Sequence, residues 1–352
     1  MKSEGNISNH GKVLITGGCG FIGGHVVRYF REQGINVSCL HRSSSNKSFI
    51  EDLDVKFIEG DILKMDSLQN AIRDVDTVIH IAGKVNDWGD WDDFYGVNVL
   101  GTLKIMQECK AQGIQNIILT GSISSYGEEH SEEIKSEDHP YNSHYPYLLD
   151  KVFPCKMNYY RDSKALATKE AIEFARKNDM SLTIIEPVWV YGENEFNTGF
   201  YEYLKVAKSG TPVMPGSKNN KFHVVYAKDL AKAYFLAYQQ RLVGINRIII
   251  GNERAEYMEQ IYSLFCENIH FSKPKNLRKF MVYPIGLLSE LARTLIKSKN
   301  APTLTRGRVN MFYDNIEYST DKAKELLGFT CDYSLEEGIK NTVEWYKKNN
   351  LI

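Results

Sequence analysis

Three glycines spaced by three, Gly17, Gly20 and Gly23, sit in the run Thr16-Gly17-Gly18-Cys19-Gly20-Phe21-Ile22-Gly23. An apolar run at 13–16 leads in, and a helical pattern over 22–33 leads out. In that setting glycine permits a tight turn, close approach of backbone to a diphosphate and close packing of helix on strand, while N–H groups and the helix dipole face the anion. The spacing predicts a dinucleotide pyrophosphate over Gly17, Gly20, Phe21, Ile22 and Gly23. A second chemistry, interconversion of a ketone and an alcohol, needs a proton donor beside the oxygen, and a tyrosine with its pKa lowered by a nearby ammonium serves at neutral pH. Lysine follows four residues after tyrosine at Tyr147, Tyr160, Tyr201 and Tyr318, four of the 21 tyrosines. Pro154 spoils the first pair as a helix. The last two lie in the later, irregular part of the chain. Tyr160 and Lys164 open an uninterrupted helical stretch to residue 177, where i and i+4 share a face, and are therefore the expected proton donor and its ammonium.

These groups need a scaffold. Apolar runs at 13–16, 37–40, 55–58, 77–82, 116–120 and 182–186 alternate with amphipathic stretches of helix length. Continuous Val/Ile/Leu runs mark strands covered on both faces, so the pattern predicts an α/β fold with a parallel sheet between helices. After Pro187 the rhythm loosens through Gly199, Gly210, Pro212, Pro215 and Gly216, as expected of a separate substrate lobe. The run 247–250 reads as a strand returning to the sheet. The expected division is 11–188 with 222–251 for the dinucleotide, and 189–221 with 252–352 for a smaller substrate lobe.

Composition narrows the classes. A formal net charge of -1 offers no field for nucleic acid. Six cysteines without a C-x-x-C pair suggest neither zinc nor a disulfide framework, and fit a reducing cytoplasm. The nine histidines form no metal pattern, so no metal is expected. Residues 1–10 are polar and read as a loose tail. The stretch 280–296 carries Pro284, Glu290 and Arg293, which argues against a membrane span. It reads as a buried lobe helix, a cover for a lipophilic entrance, or a peripheral membrane contact.

The glycine run resembles the opening T-G-G-x-G-F-I-G of the extended short-chain dehydrogenase/reductase family, the epimerase/dehydratase type. Other pieces follow in order: Gly60-Asp61-Ile62, His80-Ile81-Ala82-Gly83, Asn98-Val99-Leu100-Gly101-Thr102, then Ser319-Thr320-Asp321-Lys322-Ala323 with Leu327-Gly328-Phe329 and Leu335-Glu336-Glu337-Gly338. The resemblance covers nearly the whole chain. It implies a Rossmann-type doubly wound sheet and a homodimer. It places Asp61 and Ile62 at the adenine, Ala82 and Gly83 beside the phosphates, and Pro187 and Val188 at the nicotinamide, with Tyr160 and Lys164 also touching the cofactor. The segment Ser122-Ile123-Ser124-Ser125-Tyr126-Gly127 resembles the family's S-x-x-x-Y-G, which selects Ser122 as the hydroxyl that holds the substrate oxygen, with Thr120 and Ser124 as accessories. Its bland alternative is a Ser-rich loop that satisfies its own backbone. Ser122 also lacks the strand-to-helix elbow of a hydrolase.

Two departures matter. The second strand ends Leu40-His41-Arg42, without the carboxylate that an NAD site places on the ribose. Arg42 with Ser43 to Ser45 suits a 2′-phosphate, which favours NADP, while a solvated Arg42 or one stacked on adenine leaves NAD open. Before Pro187 the family often carries arginine, but this chain has Glu186. Residues 215–225 match the sugar-nucleotide pattern poorly. By contrast, 85–91 and 301–306 look like the 3β-hydroxysteroid dehydrogenase branch, and Trp88 and Trp91 are suited either to border an apolar substrate or simply to pack. The expected reaction is interconversion of a secondary alcohol and a ketone on a lipophilic or alicyclic substrate. A nucleotide-sugar 4-epimerase or dehydratase is the alternative, and a non-catalytic NADP(H) sensor the reading from another class.

Overall fold

The computed structural model describes residues 11–127, 133–196 and 199–352. The polar tail at 1–10 lies outside them. Seven parallel strands form the central sheet: β1 (Val13–Thr16), β2 (Val37–His41), β3 (Lys56–Glu59), β4 (Thr77–His80), β5 (Asn116–Thr120), β6 (Ser181–Pro187) and β7 (Ile245–Ile250). Their spatial order is β3-β2-β1-β4-β5-β6-β7. The winding reverses between β1 and β4, and ligands of open α/β sheets bind in the crevice at such a point.

Alternation along each strand fills both faces. Val13, Ile15 and Ile118 enter the core that contains helices α1 (Phe21–Glu32) and, later in the chain, Ala227–Gln240. Leu14, Ile117 and Leu119 enter the opposite core. That second core is closed by α2 (Met65–Ile72), α3 (Gly101–Ala111) and α4 (Met157–Lys177). Each face thus buries an apolar layer, as continuous strand hydrophobicity requires. Strand β4 stops at His80, short of the apolar run's end, because Ile81 and Ala82 both turn their N–H groups to the Thr16 carbonyl, each at 3.1 Å.

Beyond Pro187 the chain builds short pairs. Trp189–Tyr191 runs parallel to Val224–Tyr226, Lys221–Phe222 antiparallel to Glu256–Tyr257, and Val213–Pro215 parallel to Lys275–Leu277. The stretch 280–296 is helical over Lys279–Leu295. Only Val282, Gly286 and Glu290 of that helix are buried, which departs from the reading of a buried lobe helix. A salt bridge between buried Glu290 and buried Arg306, at 2.9 Å, fixes its inner face.

Candidate active site

The glycine turn lies at the crevice between β1 and β4. Gly17 has φ +75°, and a Cβ there would sit 2.6 Å from the Ala82 nitrogen. Gly23 is packed so closely that a Cβ would collide with the Gly17 carbonyl oxygen. Gly20, the N-cap of α1, has extended backbone, and no side chain caps the helix. The first-turn N–H groups thus remain for an anion. This cradle fits a pyrophosphate, with room only for backbone at the point of closest approach.

The ends of β2 and β3 lie on the same edge. Gly60 donates its N–H to the His41 carbonyl at 2.8 Å, setting Asp61 beside the start of the Arg42 loop. Arg42 is exposed, and its backbone closes a local turn with Ser45. The Asp61 carboxylate accepts from Leu63 N at 2.9 Å, while Ile62 packs over Gly101 at the start of α3. The two residues read as adenine contacts are thereby held rigidly by the chain's own turn.

Lys164 is held from the side of β5. Its ammonium donates to the Thr120 carbonyl at 2.6 Å, two residues before Ser122. Burial depresses its pKa to about 8, against an opposing pull from the Glu186 carboxylate. Tyr160 lies one helical turn earlier on the same face of α4. Asn98 ties that turn to the segment that follows β4. Its amide accepts from Lys84 N at 2.7 Å and donates to Ser163 Oγ at 2.9 Å, and Ser163 in turn donates to the Tyr160 carbonyl at 2.8 Å. Asn98 occupies a π-helical turn, Tyr95–Leu100, and such turns often mark functional positions.

Ser122 caps the 3-10 turn Ile123–Tyr126, accepting from Ser124 N at 3.2 Å and sharing a hydrogen bond with the Ser124 hydroxyl at 2.8 Å. The local-backbone role anticipated as the bland alternative is therefore real, and Ser124 is its partner. The Thr120 hydroxyl is engaged by Tyr234 at 2.6 Å. Val188 donates its N–H to the Ile250 carbonyl at 2.9 Å, so only carbonyl groups of the Pro187-Val188 pair are left for a carboxamide.

Sequence reading missed two networks. His80 is buried between Thr16 Oγ1, 2.7 Å from its Nδ1, and Thr102 Oγ1, 3.2 Å from its Nε2. Burial and the nearby Lys164 push its pKa down to about 3, leaving a neutral ring that braces β1, β4 and α3. Behind Ser122, the Glu186 side chain passes beneath Gly121 and accepts hydrogen bonds from Tyr126, at 2.5 Å, and Tyr141. Arg247 faces it from β7, with its guanidinium 4.2 Å from the centre of the Tyr141 ring. Glu186 itself signalled this, as the one charged residue of its strand.

Trp88 is buried, donates from Nε1 to the Ser298 carbonyl at 2.9 Å and is covered by the Lys156 ammonium, which is a packing role. Trp91 is less enclosed and meets Tyr95 and Tyr159 at ring centroid distances of 5.9 and 6.0 Å, beside Tyr160.

The chain is similar along most of its length to known proteins. A family model described as NAD dependent epimerase/dehydratase family matches residues 13–251. A 2-alkyl-3-oxoalkanoate reductase of Stenotrophomonas maltophilia (strain K279a) is 25% identical over 340 residues, covering 94% of this chain and 97% of that protein. The sterol-4-alpha-carboxylate 3-dehydrogenase, decarboxylating, of Mus musculus is 25% identical over 350 residues, covering 96% and 92%. Among solved structures, dTDP-glucose 4,6-dehydratase from Bacillus anthracis in complex with NAD shares the fold, with TM-score 0.74, 18% identity, and coverage of 96% of this chain and 97% of that one.

Proposed function

This chain belongs to the NAD dependent epimerase/dehydratase family, and from that premise we propose that it interconverts a ketone and a secondary alcohol on a lipophilic substrate, with NADP as its cofactor. Residues 11–188 and 222–251 serve the dinucleotide, and 189–221 with 252–352 form the substrate lobe. When bound, the nicotinamide supplies or takes the hydride. The Tyr160 hydroxyl gives a proton to the carbonyl oxygen during reduction and takes it back during oxidation. Lys164, tied to Thr120, holds positive charge near that hydroxyl and favours its ionised form. Ser122 positions the substrate oxygen beside Tyr160.

The observation that carries this reading is Lys164: a lysine on the tyrosine's helical face, anchored to the end of β5, with an ammonium that titrates near neutrality. The lipophilic class is supported by the aromatic wall of Trp91, Tyr95 and Tyr159 beside the catalytic helix, and by the reductase and sterol dehydrogenase relatives. Replacement of Tyr160 by Phe is expected to lower kcat by at least about 100-fold while dinucleotide affinity stays within twofold. Undiminished turnover in that variant rejects the mechanism. UDP-sugar epimerisation without net NADP(H) turnover rejects the substrate class.

A further inference from the structure

The helix Lys279–Leu295 turns an apolar stripe outward. Met281, Ile285, Leu288, Ala292 and Leu295 recur at intervals of four and three along one face, and all are exposed, Leu288 by 64% and Leu295 by 80%. The opposite face is fixed by Val282, Gly286 and Glu290, with Glu290 paired to Arg306. The same Arg306 guanidinium donates to the carbonyls of Leu148, at 2.5 Å, and Phe153, at 2.8 Å. That contact sets a second apolar group, Leu148, Leu149 and Val152, beside the helix, with Val152 exposed by 87%. Isolated exposed apolar side chains are ordinary, but a contiguous patch on a rigid element marks an interaction surface.

Charge decides the partner. Between residues 273 and 308 the chain carries nine lysines and arginines and one acidic residue; Lys273, Lys279, Arg306 and Arg308 are paired with Glu259, Asp314, Glu290 and Asp87. Lys275, Arg278, Arg293, Lys297 and Lys299 are exposed around the stripe. A second copy of this face would bring cation against cation. An anionic lipid surface meets both features, since apolar side chains enter the headgroup boundary while flanking cations attract the lipid phosphates. Among the described residues no helix is long and apolar enough to cross a membrane, so the contact is peripheral.

We propose that the outer face of the helix Lys279–Leu295, with the 148–152 loop, docks on an anionic bilayer. It follows, resting on the lipophilic-substrate reading above, that substrate reaches Tyr160 from the lipid side. Trp88 links the two regions, because its indole donates to Ser298 just beyond the helix and its loop leads to Trp91 and Tyr159.

The test is flotation of the purified full-length protein with vesicles of phosphatidylcholine alone or mixed with phosphatidylglycerol. Binding to the mixed vesicles is expected at low salt, falling at least tenfold on phosphatidylcholine alone or at high salt. The triple variant Ile285→Ser, Leu288→Ser, Leu295→Ser is expected to lose at least tenfold in binding, with dinucleotide affinity and turnover of a water-soluble ketone retained. Lys297→Glu with Lys299→Glu is expected to weaken binding and flatten its salt dependence. Failure of the wild-type protein to float with mixed vesicles at low salt, or undiminished binding by the triple variant, overturns the proposal. So does a dimer dissolved by the triple substitution without vesicle binding, which assigns the face to a second copy. A soluble ketone left unreduced by a protein that still floats counts against the reductase reading alone.

Discussion

Glu186 and Arg247 face each other across neighbouring strands, with the carboxylate oxygen 3.6 Å from Nε, and the carboxylate is fully buried while the arginine side chain is 21% exposed. Glu186 also accepts from two tyrosine hydroxyls, so the charge is shared among four side chains. Burial pushes its pKa up, and Arg247 opposes that shift. Arg247→Met leaves a buried carboxylate without its cation, at a cost of about 3 kcal/mol. The folded-state pKa then rises further above the unfolded value, so stability is retained below the unfolded pKa and lost as pH rises through the folded one. Urea unfolding at pH 5 and pH 8 is expected to show the larger deficit at pH 8. Equal deficits would show that Arg247 contributes by packing alone.

Burial lowers the Lys164 pKa to about 8, so its charge changes between roughly pH 7 and pH 9. The protonated form of Lys164 is the one that favours ionised Tyr160, so kcat for oxidation is expected to fall as pH rises through about 8. Lys164→Met removes that inflection and lowers kcat about 100-fold. A wild-type profile flat from pH 6 to 10, with chemistry rate-limiting, assigns the titrating role elsewhere.

Gly23 has no room for a methyl group against the Gly17 carbonyl. Gly23→Ala must therefore displace α1 from the turn, costing about 1–3 kcal/mol of stability. Dinucleotide affinity is expected to fall more than tenfold, measured by quenching of protein fluorescence. An affinity unchanged within twofold would show that the turn does not carry the pyrophosphate.

Arg42 is exposed just past the end of β2, where the proposed NADP reading puts the 2′-phosphate. Arg42→Ala is expected to weaken NADPH binding about tenfold or more and leave NADH binding within twofold, since a charge-assisted hydrogen bond is worth roughly 1.5–3 kcal/mol. Equal losses for both cofactors assign Arg42 to adenine instead.

What could be read from the chain follows the reach of each constraint. The glycine turn was legible because its demand is local: three residues must lack a side chain between one strand and one helix. That Tyr160 and Lys164 share a helical face was legible because four residues along a helix is a fixed displacement. Asn98 and Ser163 are 65 residues apart, and only the folded sheet shows that one positions the turn that holds the other. The role of Glu186 was likewise hidden, since its partners lie on the 3-10 turn, on a loop and on the last strand. Serine chemistry was the most ambiguous, because the Ser122 hydroxyl that suits a substrate oxygen also caps its own turn. The helix Lys279–Leu295 showed its length and pattern in the sequence, but not which side faced solvent.

Strand β7 has a consequence for biosynthesis. Because the chain leaves the sheet at Pro187 and returns only at Ile245, the open edge of β6 waits while the intervening segment is made. That edge carries Glu186, and its cation arrives on the strand that covers it. A nascent chain stalled before Arg247 thus presents an unpaired strand edge with a carboxylate lacking its partner, a state prone to misassembly and suited to chaperone capture. The charge pair acts as a latch on the sheet, closing only when the last strand is in register.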